Sequence, residues 1–206
     1  MQSVNPTKFI EVVCRNGFVN ESTILHHGGK TLALLRTRQN INSCLHTAAE
    51  EGRTQVIRLL LPFNPYLDAR NKDGFTPLHY ATLNGHLNAS KLLIQAGADV
   101  AFKDFKDKTP LHHAVSKVYT LIAKALIEAK ADVNSKDIFG KTPLHYAASK
   151  GNKDMVQVLI QAGSNLNSKD SLGKTPLQVA AENGCTDIVR FILSSDISEN
   201  PMDCWI

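Results

Sequence analysis

The sequence predicts an all-α solenoid, a row of short helix pairs stacked on one another. The tetrapeptide Thr76-Pro77-Leu78-His79 returns as Thr109-Pro110-Leu111-His112, Thr142-Pro143-Leu144-His145 and Thr175-Pro176-Leu177-Gln178, each 33 residues after the one before. One step earlier stands a weaker copy in the same register, Ser43-Cys44-Leu45-His46. Two apolar columns keep the same step: Leu60, Leu93, Leu126, Leu159 and Ile192, and beside them Leu61, Ile94, Ile127, Ile160 and Leu193. A fixed period of this length marks a repeat architecture, in which one supersecondary unit cannot bury its faces alone and does so against its neighbours.

The units also end alike, in Gly97-Ala98-Asp99-Val100, Ala131-Asp132-Val133-Asn134 and Gly163-Ser164-Asn165-Leu166-Asn167. With its TPLHxA motif and period, the chain resembles the ankyrin-repeat family over about residues 41–193, some five repeats. The resemblance implies an ankyrin-repeat solenoid, a curved stack of helix–turn–helix units joined by projecting β-hairpin-like fingers. It also implies a binding module whose variable positions lie on the finger tips and along the first helices. The family includes inhibitors of kinases and of transcription factors, but no residue here selects inhibition over an adaptor or targeting role.

Residues 1–40 fall out of register and are expected to form a divergent N-terminal capping segment, because a terminal unit must hide one apolar face. Within them, Pro6 to Arg15 reads as an amphipathic helix with Phe9, Ile10, Val12 and Val13 on one side. The segments 22–25 and 31–35, around His26-His27-Gly28-Gly29, are either two short helices or a hairpin. In the repeats at 41–193, Thr76 and its equivalents can cap the first helix, and the following proline suits the first helical position because its missing N–H would be unpaired anyway. Gly52, Gly85, Gly151 and Gly184 end the first helix, Asn64, Gly97 and Gly163 end the second, and Gly74, Gly140 and Gly173 turn the finger. Leu111 and Leu144 are expected between stacked units. One repeat departs from the pattern three times, with Asp107, Val118 and Lys130 at glycine positions. Valine tolerates a left-handed backbone badly, so the turn at Val118-Tyr119 is expected to be rebuilt. Residues 194–206 form an acidic tail, which either lays Trp205 over the last repeat as a cap or presents it to a partner.

Several function classes are excluded by what the chain lacks. Hydrophobic residues make up 43 % and charged residues 20 %, which suits a packed core and not a disordered chain. No apolar run approaches the ~20 residues of a membrane helix, and the first residues lack the pattern of a secretory signal. Cys14, Cys44, Cys185 and Cys204 have no CxxC spacing, so reduced thiols in a cytoplasmic or nuclear setting are expected. Cys204 stands third from the end, where a prenylation box needs it fourth. Phosphate-loop, dinucleotide, nucleophile-elbow and HExxH motifs are absent, and Gly28-Gly29-Lys30-Thr31 imitates only the end of a phosphate loop. No catalytic, cofactor or metal residue is therefore assigned. His46, His79, His112 and His145 recur with the repeat, which points to a structural role: a buried imidazole bonding local backbone and tying one unit to the next.

The surface is where the sequence points to function. Finger tips read Lys72-Asp73-Gly74-Phe75, Phe105-Lys106-Asp107-Lys108, Ile138-Phe139-Gly140-Lys141 and Ser171-Leu172-Gly173-Lys174, each with an apolar group beside a lysine. Tyr80, His113 and Tyr146 form a column on the first helices, either lining the concave face or acting as half-buried spacers, and Lys117 lies near one helix end. These residues are the expected contacts for a protein partner with apolar pockets and acidic edges. The alternative is a nucleic-acid or acidic-surface binder working through the finger lysines. The charge argues against it: of the net +4, +3 lies in residues 1–40, too diffuse for a phosphate-backbone footprint. Arg70, Lys103, Lys136 and Lys169 are each followed by Asn or Asp, an alternation that reads as a solvated finger flank.

Overall fold

The computed structural model describes residues 38–199, with side chains described over 42–195. The expected N-terminal helix, the undecided segments at 22–35 and the Trp205 tail lie outside the described residues. Among those residues there are ten α-helices in five successive pairs, one short 3-10 helix and no strand. The chain falls into two compact units, divided between Phe105 and Lys106.

The first unit holds α1 (Arg38–Glu50), α2 (Thr54–Leu60), α3 (Pro77–Leu83) and α4 (Leu87–Gln95). First helix packs on first and second on second, α1 against α3 and α2 against α4. Leu45, Ile57, Leu78 and Leu93 are fully buried. The second unit repeats this with α5 (Pro110–Ser116), α6 (Thr120–Glu128), α7 (Pro143–Ser149), α8 (Lys153–Gln161), α9 (Pro176–Glu182) and α10 (Thr186–Glu199). Here α7 lies between α5 and α9, and α8 between α6 and α10. Leu111 and Leu144 have no exposed surface, as the repeat pattern requires of residues between stacked helices.

The Thr-Pro pair sets four of the helix starts. Thr76, Thr109, Thr142 and Thr175 have extended backbones and cap α3, α5, α7 and α9, with proline in the first turn. The weak copy shows what happens without it. Cys44 stands where proline would, and α1 starts earlier, at Arg38, and runs straight through Ser43–His46 and through the expected boundary at residue 40. The far end departs in the opposite sense. Helices α4, α6 and α8 are followed by left-handed residues, Gly97, Lys130 and Gly163. The matching position after α10 is Asp196, and the helix continues through it to Glu199, past the expected boundary at 193.

The turn at Val118 is not rebuilt. Val118 keeps a left-handed backbone, φ 64°, beside Asp107 at 54° and Lys130 at 69°. Its N–H donates to Val115 O and the Tyr119 N–H to Ala114 O, the bonding that Gly85 and His86 make to Thr82 and Ala81. These bonds close the end of α5 on the same path as in the other repeats, so the valine carries the strain. A left-handed conformation costs an L-residue ~1–2 kcal/mol, and glycine returns ~0.5–1 of that through the freedom of the unfolded chain. Val118 is exposed, so little packing is lost with its side chain. Val118→Gly should therefore stabilise the protein by about 1 kcal/mol in urea unfolding, and a loss of stability would show that the valine packs usefully.

Candidate functional site

The fingers are built by one side chain each. Asn71 Oδ1 accepts from the N–H groups of Asp73 and Phe75, both at 2.9 Å. Asp137 Oδ1 does the same for Phe139 and Lys141, and Asp170 Oδ1 for Leu172 and Lys174, all at 2.9 Å. Each is a side-chain-closed turn, a use to which Asn and Asp are suited. Burial opposes ionisation of Asp170, yet the Lys174 and Leu172 N–H groups, with the Lys141 ammonium nearby, hold its carboxyl below the ordinary range. The expected solvated flank is therefore corrected: Asp104, Asp137 and Asp170 are 5–7 % exposed. Nor do the bases all stand free beside them, for Arg70 donates to Lys103 O at 3.2 Å and Lys136 Nζ to Lys169 O at 2.8 Å.

Histidine joins helix, finger and neighbour. In the second unit, the Thr109 N–H donates to His112 Nδ1 and the Thr142 N–H to His145 Nδ1, both at 3.1 Å. The other ring nitrogen of each faces a carbonyl of the following finger, Lys141 O at 3.1 Å and Lys174 O at 3.0 Å. A carbonyl only accepts and an N–H only donates, so both rings must be neutral with the proton on Nε2. In the first unit His79 Nδ1 takes the Thr76 N–H in the same way. His46 differs, because both its nitrogens face carbonyls, Asn42 O and Phe75 O. Gln178 replaces histidine in the last repeat and keeps only the local half, its Oε1 accepting from Thr175 N at 2.9 Å.

On this base the tips divide into two kinds. In the second unit, Ile138, Phe139 and Leu172 are 51, 50 and 75 % exposed. Their backbones are nonetheless held: Ile138 N–H donates to Lys106 O and Ser171 N–H to Phe139 O. Gly140 permits that closeness, since a Cβ there would sit 2.9 Å from Ser171 N. In the first unit, Phe105 is 63 % exposed with its ring against Gly74. Phe75 is corrected: it does not stand out at a tip but is half-buried, 5.8 Å from the His79 ring and 5.5 Å from Tyr80.

The first-helix column resolves toward spacers. Tyr80 is half-buried and its hydroxyl accepts from Asn71 Nδ2 at 2.8 Å, while Tyr146, also half-buried, donates to Asp137 Oδ2 at 2.6 Å. His113 is buried. Lys108 and Lys141 place their ammonium groups 4.5 and 5.9 Å from the Tyr146 ring centre. Lys174 meets Glu182 at 2.6 Å, which offsets its charge. Lys72, Lys106 and Lys117 are exposed. Sequence reasoning missed the finger-closing role of Asn71, Asp137 and Asp170; the signal was an Asx residue at the same offset before each tip. Among the described residues no three His, Cys, Asp or Glu side chains converge on a possible metal position, and no helix is long and apolar enough to cross a membrane.

Tandem helix–turn–helix units with capped Thr-Pro starts and tied fingers define a helical repeat protein. The family model for Ankyrin repeats (3 copies) matches residues 10–104, 45–137 and 111–203, and the chain belongs to this family. It is similar to a Rickettsia bellii (strain RML369-C) protein named for its ankyrin repeats, 38 % identical over 53 residues, which are 26 % of this chain and 22 % of that protein. It is also similar to one so named in Fowlpox virus (strain NVSL), 36 % identical over 69 residues, 34 % of this chain and 46 % of the viral protein. The chain thus matches less than half the length of either relative. Ankyrin repeats are in general protein–protein interaction modules and typically non-catalytic.

The histidine geometry makes stability depend on pH. Burial lowers the pKa of His112 from 6.5 to about 4, against the raising effect of the Lys141 carbonyl and Asp137, and burial likewise lowers that of His145. Above the ordinary histidine value both folded and unfolded chains are neutral. Below it the unfolded chain takes up a proton that the fold refuses, so stability falls as pH drops from 6.5 toward 4. His112 alone accounts for roughly 3 kcal/mol at the lower limit. Urea unfolding across this range should show the decline, and His112→Gln, which imitates Gln178, should flatten it. An unchanged slope in the variant would remove His112 from the account.

Proposed function

We propose that the chain is a non-catalytic protein-binding module, working as an adaptor, an inhibitor or a targeting subunit, and that it holds its partner through the finger tips and first helices. One observation carries this reading: large apolar side chains stand in solvent on tips whose backbones are fixed by hydrogen bonds. Ile138, Phe139 and Leu172 stabilise nothing in proportion to their size, yet they are pre-positioned, which lowers the entropic cost of docking, and Phe105 is as exposed with its ring against Gly74. Apolar anchors of this kind are what interface centres are made of. Lys106, Lys108 and Lys141 beside them suit a partner with acidic edges around apolar pockets. The four cysteines, without a CxxC spacing or a dense disulfide pattern, accord with work in the cytoplasm or nucleus.

The nucleic-acid alternative is weaker on the same surface, because Lys174 is offset by Glu182 and Lys136 is engaged by a backbone carbonyl. The test is affinity capture with the wild-type chain and with the Phe105→Ser/Phe139→Ser variant, followed by mass spectrometry. The variant should lose the protein bound by the wild type, while helicity and melting temperature stay nearly intact. Binding should persist from low to moderate salt. Unchanged capture by the variant, or capture of nucleic acid that collapses steeply with salt, would overturn the reading.

A further inference from the structure

Away from the fingers, the second helices carry a groove of about 380 Å³ lined by Lys153, Asp187, Arg190, Phe191 and Ser194. Four of these lie on α10 at the spacing i, i+3, i+4 and i+7, which is one continuous stripe of a helix. The fifth, Lys153, opens α8 and holds its ammonium 5.6 Å from the centre of the Phe191 ring. The floor is thus a half-buried aromatic ring, and the walls are two cations and one carboxylate. Nothing in the repeat pattern needs this combination. The other second helices have leucine, alanine or valine where Phe191 stands: Leu59, Leu92, Ala125 and Val158.

We propose that this groove is the seat of the chain's own residues 200–206, Asn-Pro-Met-Asp-Cys-Trp-Ile. Reach, direction and charge agree. The stripe runs along α10 toward Glu199, the last described residue, which the segment follows directly in the chain. Phe191 lies eight helical residues back from Glu199, about 12 Å at the helical rise. Trp205 lies four residues beyond Pro201, a reach of about 13 Å when extended, so a reversal at Pro201 just returns it to the level of Phe191. Residues 196–206 hold three acids and no Lys or Arg, whereas the groove has an excess of one positive charge. Running back from Ser194, the segment meets Phe191 and Arg190 one helical step apart, so Trp205 would lie on Phe191 and Lys153 with Asp203 in reach of the Arg190 guanidinium. An indole there meets both an aromatic neighbour and an ammonium group, the two contacts tryptophan makes best. This seat is on the outer side of the second helices, not over the end of the last repeat, and it stands independently of the finger-tip reading.

Trp205 is the only tryptophan, so fluorescence of the full chain reports on it alone. The native protein should show blue-shifted emission and acrylamide quenching several-fold weaker than the same chain in urea, at every protein concentration. Arg190→Glu, an exposed change that leaves the fold intact by circular dichroism, should raise quenching toward the unfolded value. Combining it with Asp203→Arg should restore protection. Native quenching equal to that in urea would overturn the proposal. So would protection that vanishes on dilution, which would mean a seat on a second copy. Protection untouched by Arg190→Glu and Phe191→Ala but lost in Leu193→Ala would place Trp205 on the repeat's end face instead.

Discussion

Each inner repeat of the second unit depends on a neutral histidine that has only one workable proton arrangement. Nδ1 of His112 and His145 must accept, because a threonine N–H points at it, and Nε2–H must donate, because a finger carbonyl lies beyond. One side chain thereby fixes the start of its own helix and the position of the next finger. The threonine is held extended as an N-cap, proline follows without loss, and the leucine after it is driven into the layer between helices. The finger, tied at its base to the preceding histidine, is closed by its own Asp and leaves its tip to solvent. Strong local bonds at the base are what allow exposed apolar residues at the tip without collapse onto the core.

Much of this was legible in the sequence. The repeat placed the helix pairs, the buried Leu111 and Leu144 and the double role of histidine, and residue type placed the left-handed glycines but not Val118. What escaped was written in residues whose type has two uses. Aspartate after lysine reads as an exposed ion pair, yet Asp137 and Asp170 are buried acceptors of finger N–H groups, because two amide donors stabilise a carboxylate as well as water does. Phenylalanine before Thr-Pro reads as a tip, yet Phe75 folds onto Tyr80 because the adjacent ring offers more contact than solvent does. Phe191 stands in the column of Leu59, Leu92, Ala125 and Val158, and the fold makes it the floor of a groove with Arg190 and Lys153.

Val118 teaches a related point about competing constraints. Its residue type argued for a rebuilt turn, but residue preference is local and worth ~1–2 kcal/mol. The helix-end hydrogen bonds and the stacking of α5 and α6 are collective and larger, so the backbone keeps the repeat's path and the side chain bears the cost. The same ranking explains α1 and α10. Where no proline starts a helix and no left-handed residue stops one, the helix runs through the position at which the other repeats break.

The central claim, that neutral Nε2–H histidines join helix caps to neighbouring fingers, is tested most directly by nitrogen-15 NMR of the imidazole rings in the native protein near pH ~6. His112 and His145 should each show a non-protonated Nδ1 and a protonated Nε2 in slow exchange with water. An Nδ1–H tautomer, or an imidazolium at that pH, would leave a threonine N–H facing a proton and would contradict the account.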